Sequence, residues 1–207
     1  MKKIIPSIQH ETELKIDVSI DDLEKLVRRI TRRRRVHHAY LLRLYFDTKS
    51  LFFYKQKMTV RLQYQPGKKG VRGSYYQCIK TSDGVASEPH ILKRLEKSSI
   101  VPRAEPVIPG FKKKLYHLFT TEMERRYVVI TRGKSKIEMA FDCGWIIVPE
   151  TGRRKPFAEI ELELKKGSPH DLQKAAEDIL RLAPTARIKK NRSKADDGFS
   201  LYVQSIR

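Results

Sequence analysis

The segment of the chain that most clearly suggests chemistry is Glu11-Thr12-Glu13-Leu14-Lys15, near the N-terminus. Side chains two residues apart in a β-strand point to the same face, so Glu11, Glu13 and Lys15 would share one face. Such a face suits a metal ion bound to a phosphate, because the acids hold the cation and the base holds the anion. A single strand of this kind is more often a solvated sheet face, so the interpretation depends on whether the pattern recurs.

The same alternation of polar and apolar residues does recur in three later segments, Thr59–Gln63, Lys136–Asp142 and Ala158–Lys165. Each segment has one polar face and one apolar face when it is extended. A sheet closed into a barrel with its polar face inward would gather these charges in one cavity. The sequence therefore predicts an antiparallel, strand-rich α+β protein with an interior charged site.

Helix signals are few. Ser19 is a typical N-cap for a helix carrying Leu23, Leu26, Val27 and Ile30, and Gly167-Ser168-Pro169 precedes a second apolar helical pattern. A short helix is expected at Phe111–Phe119, a connection at Ser98–Gly110, and a helix or strand at Ser193–Val203. Strands are predicted at residues 8–18, 41–48, 58–65, 74–81, 88–95, 121–131, 135–143 and 156–165, with Arg132-Gly133-Lys134 as a hairpin turn.

Composition limits the class of protein. The 207 residues suit a single domain spanning 1–207, and a hydrophobic fraction of 40% is enough for a core. The net charge of +20 favours polyanionic partners. Cys78 and Cys143 are interpreted as ordinary thiols, and no signal peptide or membrane span is evident, so we expect a cytoplasmic protein that does not bind membranes.

Several common catalytic motifs are missing from the sequence. It contains no Gly-rich loop ending in Lys-Ser or Lys-Thr, no cysteine pairs with zinc spacing and no Gly-x-Ser-x-Gly element. The main candidate chemistry is therefore a site made of carboxylates and bases.

The Glu-x-Glu-x-Lys segment resembles the hallmark of the CYTH family, also called triphosphate tunnel metalloenzymes. The resemblance extends from about residue 9 to residue 203, because further motifs follow in the family's order. These motifs are Tyr45-Phe46-Asp47-Thr48, Val60-Arg61-Leu62, Cys78-Ile79-Lys80, Phe119-Thr120-Thr121 with Arg125, Ile137–Gly144, Glu159–Leu164, and Ser193-Lys194-Ala195 with Gly198-Phe199.

This resemblance implies an eight-stranded antiparallel β-barrel, or tunnel, with helices packed outside, and a triphosphate substrate bound with Mg²⁺ or Mn²⁺. It implies metal ligands at Glu11, Glu13, Asp142, Glu161 and Glu163, with Glu159 and Glu161 as the alternative register. It implies a triphosphate clamp formed by Lys15, Arg61, Lys80, Arg125 and Lys194. Within these sets, Glu13, Lys80 and Glu161 are the residues expected to be catalytic.

Three positions depart from the family pattern. Gln63 stands where a second Arg of Leu-Arg-x-Arg is usual, and Ser87-Glu88-Pro89 stands where Arg-x-Glu is expected, which leaves a role only for Glu88. Asp196-Asp197 precedes Gly198 where the family has Arg.

The resemblance is greatest to bacterial inorganic triphosphatases, so hydrolysis of tripolyphosphate is the leading hypothesis. Thiamine or nucleoside triphosphatase and class IV adenylyl cyclase are the alternatives, with thiamine triphosphate and ATP as substrates. A non-catalytic binder of polyphosphate or RNA is a further alternative, and the family also makes a homodimer plausible. The binder would use three basic runs, Arg32–Arg35, Lys112–Lys114 and Lys189-Lys190 with Arg192.

Overall fold

A computed structural model describes residues 7–65, 73–82, 90–101, 103–190 and 192–206 of the chain. These residues form nine strands and four helices. The strands are β1 (Ser7–Asp17), β2 (His37–Asp47), β3 (Met58–Gln65), β4 (Ser74–Ser82), β5 (Leu92–Val101), β6 (Tyr116–Arg132), β7 (Ser135–Ile147), β8 (Arg154–Lys166) and β9 (Arg187–Ile188). The helices are α1 (Ile20–Thr31), α2 (Phe52–Lys55), α3 (Pro169–Leu182) and α4 (Lys194–Ser205).

Eight of the strands close into an antiparallel barrel, which confirms the predicted fold class. They follow the order β5-β4-β3-β2-β6-β7-β8-β1, and a further pairing of β1 with β5 closes the ring. β1 can serve both neighbours because its first half, Ser7–Glu13, pairs with β5 and its second half, Glu13–Asp17, pairs with β8. The two-residue strand β9 adds to the end of β1.

The apolar faces of the strands point outward, where helices cover them. α1 and α3 pack their buried leucines, alanines and isoleucine on β1, β7 and β8. α4 packs Phe199 and Tyr202 against β2, β6 and β7, and α2 packs Phe53 against β3. The core is thus a shell around the barrel, and the polar faces are left to line its interior.

Local signals fix the ends of these elements. The side chain of Ser19 accepts a hydrogen bond from the backbone N–H of Asp22 to begin α1, and Ser168 caps α3 with Pro169 at its start. The β6–β7 hairpin turns through Gly133, whose φ of +54° lies in the left-handed region that glycine adopts at little cost. Among the described helices, none has both the length and the apolar character required to cross a membrane.

The structure differs from the sequence predictions at several places. The strand expected at residues 88–95 is β5, which begins at Leu92 and runs to Val101, so part of the expected Ser98–Gly110 connection is strand; residues 83–89, including Glu88, lie outside the described residues. No helix forms at Phe111–Phe119, because β6 already begins at Tyr116. The short helix α2 was missed, and the segment left open at Ser193–Val203 is helical.

Candidate active site

The barrel encloses a charged cavity of about 230 Å³. Seven of the barrel strands and the start of α4 contribute side chains to its wall. Seven cations and five carboxylates line it among the described residues, with few apolar atoms. A space walled by fixed charges of both signs is typical of a site for a small, highly charged ligand.

The five predicted clamp residues, Lys15, Arg61, Lys80, Arg125 and Lys194, all line this cavity. Four of the five predicted metal ligands, Glu11, Glu13, Glu161 and Glu163, line it as well. Asp142 does not reach the wall, because it is fully buried behind Arg125 and Lys194. The residues of the Glu-x-Glu-x-Lys segment therefore share one face, as their spacing predicted.

β1 and β8 bring acids and bases into direct opposition. Glu13 lies opposite Glu163 and Lys15 lies opposite Glu161 in the antiparallel register. The Nζ atom of Lys15 donates to Glu161 and lies 3.1 Å from Glu13. Burial raises the pKa of Glu13, but Lys15, Lys80 and Arg94 outweigh burial and bring that pKa down to about 2.

A buried cluster beneath the cavity is organised by Lys194. Its Nζ lies 2.9 Å from both Asp142 and Glu161, and it also donates to Glu159. Burial alone would lower the pKa of Lys194, but these three carboxylates raise it above its usual value. Arg125 adds a two-pronged contact with Asp142, at 2.7 and 2.6 Å, and a further one with Glu161. Together with Lys15, the cation with the largest effect, Lys194 and Arg125 hold Glu161 ionised, with its pKa well below the usual range despite burial.

The position of α4 explains why Lys194 reaches the buried carboxylates beneath the cavity. Ser193 and Asp196 cap each other's backbone at the start of the helix, which fixes the first turn at the cavity. Asp197, one of the residues that depart from the family pattern, pairs with Lys189 at 2.7 Å and with Arg192 at 2.6 Å. Lys189 is buried and also bonds Glu159. It is therefore a structural cation, and its assignment to an exposed basic run was wrong.

Two cavity residues on β5 were missed in the sequence. Arg94 lies 3.0 Å from Glu13, and Glu96 lies 2.8 Å from Lys80 and 3.4 Å from Arg61. Arg94-Leu95-Glu96 is thus an Arg-x-Glu element in the cavity wall, whereas the sequence prediction considered Ser87-Glu88-Pro89, which lies outside the described residues. Both residues hold cavity partners in position, since Lys80 is bound between Glu96 and Glu11, the latter at 2.5 Å.

A further pair was missed on β2 and β3. Arg43 lies opposite Gln63 in the register, and its Nε donates to the Gln63 amide oxygen at 3.0 Å. Burial and the positive charges of Arg61 and Arg125 lower the pKa of Arg43. The alternation Arg43-x-Tyr45 on a strand would have placed both side chains inside, and both do line the cavity.

In the Tyr45-Phe46-Asp47-Thr48 block, Tyr45 contributes to the cavity and Asp47 stabilises the fold. The phenol of Tyr45 lines the cavity, and although burial raises its pKa, Arg61, Arg43 and Lys194 lower it overall. The carboxylate of Asp47 is fully buried away from the cavity wall. It accepts the backbone N–H groups of Thr48, Phe53 and Tyr54 at 2.7, 3.0 and 2.9 Å, and so holds the turn into α2.

The carboxylates present fit a hard divalent cation. Asp142, Glu159 and Glu161 each place an oxygen within 4.8 Å of the others, and oxygen donors are those that Mg²⁺ and Mn²⁺ prefer. The Lys194 ammonium contacts all three carboxylates, so a divalent ion at this point would displace it.

Glu163 is a further predicted metal ligand. Burial raises its pKa, and the carboxylates of Glu11 and Glu138 add to that effect. Lys165, whose Nζ lies 2.8 Å from Glu163, opposes this effect only in part, and a divalent cation would relieve the remaining repulsion.

These features agree with a comparison against protein-family models. The model described as the CYTH domain matches residues 9–196. This chain belongs to the CYTH domain family. The predicted family membership is thereby confirmed over most of the sequence.

Individual relatives share the fold and part of the sequence. An inorganic triphosphatase from Haemophilus influenzae is 29% identical over 173 residues, which cover 78% of this chain and 47% of the relative. The CYTH chain described here thus spans about half the length of that curated relative.

Solved structures of two proteins share the tunnel fold. A candidate adenylate cyclase from Bacillus halodurans has a TM-score of 0.59 at 14% identity, covering 93% of this chain and 98% of its own. A candidate adenylyl cyclase from Hippeastrum, described as having a dominant triphosphatase activity, has a TM-score of 0.59 at 12% identity, covering 92% and 95%. At such low identities the likeness concerns the fold alone.

Proposed function

We propose that this CYTH protein is a metal-dependent triphosphatase whose preferred substrate is inorganic tripolyphosphate. The observation that carries the proposal is the cavity inside the closed barrel, in which seven cations face five carboxylates among the described residues. A tripolyphosphate carries several negative charges and no organic group, so it needs many fixed donors and no apolar wall. The 29% identity to an inorganic triphosphatase supports the same choice.

In this mechanism Lys15, Arg61 and Lys80 bind the phosphate oxygens from β1, β3 and β4. Arg125 and Lys194 bind from the opposite side, where they already bridge the buried carboxylates. A bound Mg²⁺ or Mn²⁺, held by carboxylates of the set Glu11, Glu13, Asp142, Glu161 and Glu163, or by Glu159 with its neighbours, would neutralise phosphate oxygens and orient water. The clamp then stabilises the charge that develops on the leaving diphosphate.

Water attacks the terminal phosphorus, the bond from that phosphorus to the bridging oxygen breaks, and orthophosphate and diphosphate leave. Glu13, whose pKa is about 2, is too weak a base to hold a proton near neutral pH. Glu13 and Glu161 therefore act by positioning the water, and the water's proton passes to the phosphate products. Lys80 is the catalytic cation that faces the reacting group in this scheme.

The test is phosphate release from tripolyphosphate with Mg²⁺ or Mn²⁺, run beside ATP and thiamine triphosphate. Glu13→Ala and Lys80→Ala should each abolish release, whereas the exposed controls Glu105→Ala and Lys134→Ala should retain it. Faster release from ATP or thiamine triphosphate than from tripolyphosphate would overturn the substrate assignment. Cyclic AMP with diphosphate from ATP, or no product with any of the three, would overturn the triphosphatase itself.

A further inference from the structure

Arg43 differs from the other cations of the cavity in having no acid beside it. Among the described residues, each of the six remaining cations that line the cavity lies within 4.0 Å of at least one carboxylate oxygen. Arg43 makes no such ion pair, and its single hydrogen bond in the described part of the chain is the one from Nε to Gln63. It is nevertheless 92% buried, with an exposed fraction of 8%.

A buried guanidinium without a carboxylate is unfavourable in the free protein. Removing a charge from water is costly unless a counter-charge or a full set of hydrogen bonds replaces the water. Arg61 and Arg125 increase this cost, because both are cations on strands adjacent to β2, and the more distant Glu161 and Tyr45 offset only part of it. An anion bound in the cavity would supply the contacting negative charge that the protein does not provide to Arg43.

The geometry leaves the donating end of Arg43 available. The guanidinium is anchored through Nε, and neither terminal nitrogen has an acceptor in the described residues. Arg43 lines the cavity together with Gln63 and Arg61, so these terminal nitrogens are the part of the side chain that a ligand in the cavity can meet. A fork of two N–H groups held at its base matches the oxygens of a phosphoryl group.

We propose that Arg43 is a substrate-binding residue, which Gln63 holds in position so that its terminal nitrogens bind one phosphoryl group of the triphosphate. The inference rests on the proposed function, because it takes the substrate to be a chain of phosphates. It adds a sixth cation to the five-residue clamp, and it makes the Arg43–Gln63 pair a unit whose charge faces the ligand.

The experiment measures binding of inorganic tripolyphosphate by calorimetry, without metal, and hydrolysis separately with Mg²⁺. Arg43→Gln should weaken binding by about tenfold to a hundredfold, the loss typical of removing a hydrogen bond between charged groups. The double variant Arg43→Gln with Gln63→Arg places the positive charge on the facing strand β3, and it should restore most of the lost affinity for tripolyphosphate. Arg29→Gln, an exposed position on α1, makes the same chemical change outside the cavity and should bind normally.

Thermal unfolding distinguishes a ligand contact from a structural role. Arg43→Gln should not lower the unfolding temperature of the free protein, because no carboxylate of the described residues contacts the guanidinium there, but it should reduce the rise that tripolyphosphate produces. If Arg43→Gln binds and hydrolyses tripolyphosphate as the wild type does, the inference is wrong while the proposed function stands. If the wild type binds tripolyphosphate but hydrolyses none of the three substrates, the triphosphatase fails while the Arg43 contact is still tested by binding.

Discussion

Gly198 of α4 packs directly against the aromatic ring of Phe119 on β6. A Cβ atom built at position 198 would overlap three atoms of that ring. Phe119 cannot retreat easily, because it is fully buried, stacks on Tyr45 at 4.5 Å and meets Phe199 edge-on. The absence of a side chain at position 198 therefore sets how closely α4 approaches the barrel.

Gly198→Ala should consequently move α4 away from β6 and withdraw Lys194 from the buried carboxylates. We expect a loss of stability of about 1–3 kcal/mol, as for other overpacked sites, together with weaker tripolyphosphate binding. Chemical denaturation and calorimetric binding would measure the two effects. Ser200→Ala, on the exposed side of the same helix, is the control. Wild-type affinity in Gly198→Ala would show that this close approach does not position Lys194.

Removal of the Lys194 ammonium should expose the repulsion among Asp142, Glu159 and Glu161. In Lys194→Met the side chain stays long, but three buried carboxylates lose their shared cation. We expect the free energy of unfolding to fall by about 3–5 kcal/mol at most in the absence of divalent ions, the usual result of removing one partner of a buried ion pair. The loss is limited because Arg125 still pairs with Asp142 and Glu161, and Lys189 still pairs with Glu159.

Added Mg²⁺ should raise the unfolding temperature of Lys194→Met more than that of the wild type, because the ion can occupy the place of the ammonium. Differential scanning fluorimetry with and without EDTA would measure this. Lys134→Met is the control for loss of an exposed ammonium. Equal unfolding temperatures for wild type and Lys194→Met in EDTA would contradict the prediction.

Glu96 should make the stability of the protein depend on pH in the acid range. Burial raises its pKa, but Arg61 and Lys80 outweigh burial and lower that pKa from 4.5 to about 2. The unfolded chain therefore takes up the proton first as pH falls, so the stabilisation is complete above pH 4.5 and is lost as pH falls towards 2.

Glu96→Gln should flatten the pH dependence of the unfolding free energy across that window, and it should lower stability above it. Urea denaturation at a series of pH values would measure both changes. The exposed Glu105→Gln should leave the slope unchanged. Parallel curves for wild type and Glu96→Gln would mean that the ion pairs with Arg61 and Lys80 do not stabilise the fold.

Asp47 should matter for folding and not for catalysis. Asp47→Ala leaves three backbone N–H groups at the start of α2 without their acceptor, so we expect a loss of about 3 kcal/mol or more. Asp47→Asn should lose less, because its one remaining carbonyl oxygen can still accept from Thr48 and Phe53. Phosphate release per folded molecule should stay near the wild-type value, and a selective loss of turnover in Asp47→Asn would contradict the scaffold role.

The sequence predicts the barrel and much of its wall because both follow from a period of two. Glu11, Glu13 and Lys15 had to share a face wherever β1 formed, and the same reasoning applied to Glu161 and Glu163 on β8. β5 was harder to place because Lys93, Arg94, Glu96 and Lys97 put charge on both faces, which hides the alternation. Its position is decided by pairing with β1 and β4.

Pairing between distant strands also determines the conformation of the segment from Phe111 to Phe119. Phe111, Leu115 and Leu118 recur at helical spacing, which favours a helix in isolation. The chain from Tyr116 is instead extended, because β6 pairs along its length with both β2 and β7. The Arg43–Gln63 contact could not be predicted for a related reason, since facing residues are known only once the register between two strands is fixed.

The contact between Lys15 and Glu161 joins residues separated by 146 positions in the chain. We expect contacts this distant to form late in folding, because the conformational entropy of the long intervening loop must be lost before the two residues can interact. The charges that would bind a ligand therefore come together only in the native state. We expect a ligand of the cavity to leave the folding rate unchanged and to act almost entirely by slowing unfolding, so that its main effect is on the lifetime of the closed barrel.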